Sequence, residues 1–323
     1  MNHPPPTVRA MRDVVLEGIL DAMRQEPDIV FLAADFGSPV LDRIRAECPR
    51  QFLNVGIAEQ NLINVATGLA LEGRRVIAYA IAPFITMRCY EQIRVNLGIL
   101  GQLRPLNVTL VGVGAGCSYT VSGPTHQCFE DLSIMRALPQ VELYSPADPA
   151  TAAALLPGLL RTPHARYLRL DAKPLPNLGA AAGPSETAVC QGFRVLHEGT
   201  TGVCVAATGY MVHVALKAAR ELGDGGPTVV DCFNLTSADP AALAGVLGGH
   251  RHVVTLEEGF VNAGGLDAMV LQLLHQRQLL RPTTHLGMQR RYSFALGSRD
   301  HLLSLHEADP AAVAARLRTL SEN

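Results

Sequence analysis

Short apolar runs alternate with longer stretches of helical period along most of the chain, and no other feature narrows the possible folds as far. The runs fall at 28–33, 52–55, 75–80, 106–113, 141–144 and 166–170, with amphipathic stretches at 9–25, 58–72, 84–100, 128–137 and 149–160. Strands apolar at nearly every position are buried on both faces, the condition of a parallel sheet covered by helices on either side. Residues 1–172 are therefore expected to form a doubly wound α/β domain. The composition then shifts to Lys-Pro-Leu-Pro-Asn-Leu-Gly-Ala-Ala-Ala-Gly-Pro, which has neither period and reads as a linker at 173–187. Alternation resumes with strands at 202–207, 229–232 and 252–256 and helices at 211–222, 240–247 and 266–276, predicting a second, smaller α/β domain over 188–323.

A chain of 323 residues can bury two cores of ordinary size. Its net charge of −2, without a run of Lys or Arg, argues against nucleic acid or acidic lipid as a partner and for small-molecule chemistry. Residues 1–6 are Pro-rich and lack the pattern of a secretory signal, and no apolar stretch reaches bilayer length, so a cytoplasmic protein is expected. Seven cysteines, unpaired in spacing, read as reduced thiols. His250 and His252 share one strand face, a spacing that can bind metal, but with no further ligand nearby they read as strand-edge residues.

Directly after the run at 52–55 comes Gly56-Ile57-Ala58-Glu59-Gln60-Asn61, which puts a carboxylate at the first turn of an apolar helix. Strand ends of this kind carry the functional groups of parallel α/β folds. Alone, such a glutamate reads first as a solvated complement to the helix dipole. Its company changes that: Phe84, Arg88 and Glu91-Gln92-Ile93-Arg94 follow, then Gly123-Pro124-Thr125-His126-Gln127, Glu130-Asp131-Leu132 and Arg136-Ala137-Leu138-Pro139. Two glycine-rich stretches carry less. Gly223-Asp224-Gly225 resembles the start of a metal-diphosphate motif but follows a helix and lacks the later Asn, so a helix-ending turn is expected. Gly112-Val113-Gly114-Ala115-Gly116 lacks dinucleotide-loop spacing and reads as backbone that must approach a ligand closely.

Together, the motifs from Glu59 to Pro139 resemble the C-terminal half of transketolase, and the resemblance covers nearly the whole chain as a pyrimidine-binding domain followed by a transketolase C-terminal domain. It implies thiamine diphosphate as cofactor. In that family a protein carboxyl donates to the ring nitrogen of the cofactor's aminopyrimidine, which then deprotonates the thiazolium carbon. Glu59 matches that carboxyl, which must be buried enough to keep or share its proton. Phe84 matches the phenylalanine that stacks on the pyrimidine, with a core phenylalanine as its plainer reading. Ile81 and Met87 stand where Phe and Tyr are usual, so the pocket should stay apolar with another shape. Asp35 resembles an aspartate near the cofactor at the subunit interface, though a helix N-cap serves as well. His126 resembles a histidine that contacts substrate oxygens and moves protons.

The resemblance breaks where specificity lives. Arg169 and Arg12 keep basic positions used for substrate phosphate, but Gly114 stands where a histidine is expected and Ser122 where an aspartate reads a substrate hydroxyl. Phosphate recognition uses several charge-assisted hydrogen bonds, so a weakened grip on phosphorylated sugars and a specialised biosynthetic substrate, unphosphorylated or bearing an amino or carboxyl group, are expected. Nothing in the chain matches the diphosphate-binding domain. The implied protein is a split enzyme in which a separate N-terminal subunit carries the diphosphate and Mg²⁺, assembled as a symmetric α₂β₂ heterotetramer that transfers a two-carbon ketol unit from a ketose to an aldehyde. The alternatives are the β chain of a 2-oxo acid dehydrogenase first component and a noncatalytic assembly subunit.

Overall fold

The six apolar runs of the first half pair into one wholly parallel sheet in the computed structural model, which describes residues 8–179 and 183–322. The proline-rich start and the centre of the linker, residues 1–7 and 180–182, lie outside the described residues. The order of elements is β1 (Val8–Ala10), α1 (Met11–Gln25), β2 (Ile29–Ala33), α2 (Pro39–Glu47), β3 (Phe52–Asn54), α3 (Glu59–Leu71) and β4 (Arg75–Ile81). A helical segment of mixed pitch follows, with π turns at Phe84–Arg88 and Ile93–Ile99 around α4 (Tyr90–Gln92), and then α5 (Leu100–Leu103). After it come β5 (Val108–Val113), α6 (Asp131–Arg136), β6 (Val141–Tyr144), α7 (Pro149–Arg161) and β7 (Ala165–Leu170).

The sheet order is β3-β2-β4-β5-β7-β6. The chain leaves β2 for one edge and returns to β4, so the order reverses between β2 and β4, and folds of this kind place their ligands outside the C-terminal strand ends at such a reversal. One face of the sheet packs on α1, α2 and α7, which bury Met11, Val15, Ile19, Ile44 and Leu155 against Phe31, Ile77 and Val111. The other packs on α3, the π turns and α6. Helix α1 shows why the sequence folds this way: Met11, Val15, Leu16, Ile19, Leu20 and Met23, spaced at helical period, are the residues it buries.

The helix expected at 84–100 is present but widened. Thr86 Oγ1 donates to the Ala82 carbonyl at 2.7 Å and Cys89 Sγ to that of Ile85 at 2.7 Å, so side chains take carbonyls that a wider turn releases. The helix expected at 128–137 starts only at Asp131, because Cys128 forms an antiparallel bridge with Gly116. Within the expected linker, β8 (Pro174–Pro176) pairs antiparallel with β1.

The second sheet is built from β9 (Phe193–His197), β10 (Val203–Ala207), β11 (Thr228–Cys232), β12 (His252–Phe260) and β13 (Thr283–Met288), ordered β13-β12-β10-β11-β9, with β9 antiparallel to its neighbour. Short helix α8 (Glu186–Gln191) precedes it. Helices α9 (Met211–Glu221) and α13 (Pro310–Glu322), with α12 (Arg299–Ser304), cover one face, and α10 (Pro240–Gly248) and α11 (Leu266–Gln276) the other. Gly223–Gly225 is a single tight turn closing α9. His252 opens β12 and bonds the Thr284 hydroxyl at 3.0 Å, whereas His250 lies in the turn between α10 and β12 and bonds that of Thr228 at 2.9 Å, so the strand face expected to carry both holds His252 alone. All seven cysteines are free. Among the described residues no helix is long and apolar enough to cross a membrane.

Candidate active site

The loops at the C-terminal edge of the first sheet bring together most of the residues singled out in the sequence. Asp35 follows β2 with φ at 47°, a left-handed conformation uncommon outside glycine. Its N–H donates to Asn54 Oδ1 at 3.1 Å and its carboxylate accepts from Asn54 Nδ2 at 3.2 Å; Gly56 N–H donates to the same Oδ1 at 2.9 Å. Asn54 thus ties the loop after β2 to the loop that leads into Glu59, a role its sequence position did not disclose. The N-cap of α2 is Ser38, which accepts from Leu41 N–H at 3.1 Å, so the capping alternative for Asp35 does not hold.

Glu59 is the first residue of α3, and its side chain is only 3% exposed. Its Oε2 accepts from Arg88 Nη1 at 2.7 Å. The same guanidinium lies over the Phe84 ring, with Cζ 4.4 Å from the centroid. The other side of this cluster is His126, edge-on to Phe84 at 5.3 Å and to Tyr119 at 6.2 Å between ring centroids. His126 Nδ1 lies 3.0 Å from Thr125 Oγ1. The left-handed Gly123, at φ 74°, turns the loop so that its carbonyl accepts from both His126 and Gln127 N–H. Glu59, Arg88, Phe84, His126 and Tyr119 therefore form one connected cluster in which Glu59 is buried and Phe84 and His126 are half-buried. Burial pushes the Tyr119 phenol up to about 12 and the Cys89 thiol up to about 12, the latter aided by the charge of Glu59. Ile81 closes β4, half-buried beside Val113, and Met87 is exposed on the first π turn.

The expected substrate-side residues are arranged differently. Arg169 is 1% exposed; its Nε donates to Asp131 Oδ2 at 2.8 Å and its Nη2 to the Glu258 carbonyl at 2.9 Å. Tyr167 donates to the same Asp131 oxygen. Arg169 thus joins α6 to β12. Arg12 is paired with Asp13 at 2.8 Å. Ser122 is exposed on the loop before Gly123. Gly114, at φ 106°, lies under Tyr119, and a Cβ there would stand 2.1 Å from Tyr119 Cε2. At Gly116 a Cβ would stand 2.0 Å from the Glu258 carboxylate. Along this glycine-rich loop the close approaches are made by the protein's own Tyr119 and Glu258. Arg88 and Tyr119 had no assigned role in the sequence; the cluster that holds them depends on tertiary contacts, and only their nearness to Phe84 and His126 along the chain signalled it.

Two family models match the chain: the transketolase pyrimidine-binding domain over residues 8–176 and the transketolase C-terminal domain over residues 192–313. A subunit of the apulose-4-phosphate transketolase of Actinobacillus succinogenes is 28% identical over 267 residues, 82% of this chain and 83% of that one. A 6-deoxy-6-sulfo-D-fructose transketolase subunit of Clostridium sp. strain MSTE9 is 31% identical over 267 residues, 82% of this chain and 80% of that one. Among solved structures, a split-gene transketolase described as an inactive β4 tetramer superposes with a TM-score of 0.82 at 29% identity, covering 96% of this chain and 97% of the other. With both domains matched by the family's models and a relative 31% identical over 82% of this chain's length, the chain belongs to the transketolase family.

Proposed function

We propose that this chain is the C-terminal subunit of a two-component transketolase, a transferase that moves a two-carbon ketol unit from a specialised ketose to an aldehyde acceptor. The observation that carries the reading is the adjacency of a buried carboxyl and an aromatic face: Glu59 is 3% exposed, and the flat Arg88 guanidinium both bonds it and lies on Phe84. A planar, nitrogen-bearing group fits there, so the residues suit the pyrimidine half of thiamine diphosphate, the cofactor of this family. When bound, that cofactor supplies the carbon nucleophile of the transfer. Glu59 holds a proton at the pyrimidine ring nitrogen, Phe84 fixes the ring plane, and Ile81, Met87 and Asp35 border the site. His126, with Nδ1 beside Thr125, directs Nε2 to the substrate oxygens and moves their protons.

The diphosphate and Mg²⁺ are held by a separate N-terminal subunit, and the two chains assemble as α₂β₂ in the cytoplasm. The support for a partner comes from the relatives. The similar proteins include chains that are named as single subunits of a transketolase, and a split-gene β chain assembled alone is described as inactive. Named substrates of the relatives end in a phosphate or a sulfonate. With Arg169 committed to Asp131, this chain's own grip on such a terminus is reduced to Arg12 and Ser122, so donors with phosphate, sulfonate and neutral ends should be compared.

The deciding experiment co-purifies this chain with its N-terminal subunit and titrates thiamine diphosphate with Mg²⁺ by calorimetry, each subunit alone serving as control. Binding by the pair only, followed by turnover of one member of the ketose panel, supports the reading. Cofactor binding by neither pair nor subunit would return the chain to a noncatalytic assembly role.

A further inference from the structure

Arg88 makes both contacts assigned above to the cofactor's pyrimidine. Its Nη1 takes Glu59 Oε2 at 2.7 Å, and its Cζ sits 4.4 Å above the Phe84 centroid. The arrangement has a physical cause. An unpaired buried carboxyl is costly, as is an uncovered apolar face, and a guanidinium is the side-chain group that can bond the first while lying flat on the second. The occupant is removable. The Arg88 side chain is 44% exposed against 3% for Glu59, so it reaches the carboxyl from solvent. Phe84 and Arg88 open and close the same π turn, Phe84–Arg88, and rotation about the arginine stem frees both partners without moving that backbone.

We propose that Arg88 is a placeholder for the pyrimidine: in the unloaded subunit it positions Glu59 and covers Phe84, and the arriving cofactor displaces its side chain. The inference rests on the reading of Glu59 and Phe84 given above. Arg88 is thus a positioning residue that competes with the cofactor from within the chain. The cofactor's apparent affinity falls by the fraction of subunits in which the guanidinium is seated, and uptake waits for it to leave.

The test uses the reconstituted two-subunit protein with Mg²⁺, thiamine diphosphate binding being measured by calorimetry and uptake by near-ultraviolet circular dichroism. Arg88→Ala is expected to bind the cofactor on the order of 3- to 30-fold more tightly and to take it up faster, since one charge-assisted bond and one cation–π contact no longer compete. Millimolar ethylguanidinium should restore weaker binding in Arg88→Ala and leave the native pair unchanged, a rescue that general structural damage does not produce. Arg88→Lys, able to pair with Glu59 but unable to lie flat on the ring, should fall between the two. Arg88→Ala binding equal to or weaker than native, or indifferent to ethylguanidinium, overturns the placeholder. Glu59→Gln separates the two readings: native cofactor affinity in that variant sinks the site assignment itself, whereas weakened affinity there with a null Arg88→Ala result sinks the placeholder alone.

Discussion

A Cβ at Gly114 would press into the Tyr119 ring at 2.1 Å on a backbone held at φ 106°. Gly114→Ala is therefore expected to cost about 1–3 kcal/mol in denaturant unfolding, from overpacking and a strained backbone together. In a Tyr119→Ala background only the backbone strain remains and the cost should shrink; equal costs in both backgrounds would show that the ring is not what excludes a side chain. Glycine stands here in place of the histidine the resemblance implies, and the residue that excludes a side chain is a tyrosine five residues on, whose direction only the folded loop reveals. Arg169 teaches the same lesson. The resemblance gives it to a substrate phosphate, while its bonds within the chain, to Asp131 and Glu258 from a strand buried throughout, join residues remote in sequence. Glu59 was easier to single out because its helix start and the motifs after it are local. Glu59→Gln keeps the shape and removes the proton, so turnover by the reconstituted pair should fall on the order of 10²–10⁴-fold; undiminished turnover would remove Glu59 from the mechanism.

At the level of elements, the strands of the first sheet lie where apolar runs predicted them, because wholly buried strands leave a run that little else can produce. The elements without a counterpart among the expected ones are β1, α2, β8, α8, β9, β13, α12 and α13. Strand β9 is an edge strand of mixed burial, Phe-Arg-Val-Leu-His, and α2 buries only Val40, Leu41 and Ile44, so neither carries a full apolar signature. The π turns were hidden because apolar spacing alone does not distinguish a wide helix from an ordinary one. Two capping residues let the weight of an element's start be measured. Ser38 makes a single bond to the N-terminus of α2, so Ser38→Ala should cost about 1 kcal/mol. Asp148 caps α7 through Thr151 N–H at 2.7 Å, accepts from Leu178 N–H at 2.6 Å and pairs with Arg194 at 2.9 Å, all out of solvent. Asp148→Ala should therefore cost about 3 kcal/mol or more, since it leaves two buried N–H groups without an acceptor and the largely covered Arg194 guanidinium short of a partner. Urea unfolding of the two variants that gave similar losses would contradict this ordering.

Across the whole molecule the two sheets are joined by buried charges, and one of these junctions makes stability depend on pH. Ser145 N–H donates to the Phe233 carbonyl at 2.8 Å, and Arg299 on α12 bonds Glu258 and Asp171 while lying over Tyr210. Beside them, Arg194 of β9 serves two carboxylates, Asp148 at the start of α7 and Asp231 on β11. Asp148 is bonded at both oxygens, whereas Asp231 Oδ1 has no partner. Burial, with the charge of Asp148 adding to it against the pull of Arg194, pushes Asp231 from the ordinary carboxyl range up to about 7. Folded Asp231 therefore holds its proton at pH values where the unfolded chain has lost it. Its contribution to stability is fully present below the unfolded value near 3.8 and is lost as pH rises through about 7. Asp231→Asn keeps an oxygen for Arg194 and removes the titration. The melting temperature of the variant minus that of the native chain should accordingly rise between pH 5 and pH 8, with all other titrating groups cancelling in the difference. Scanning calorimetry at the two pH values decides it: a difference that stays flat or falls would mean that Asp231 is already ionised at pH 5 and that the sheets meet through an intact triad of charges.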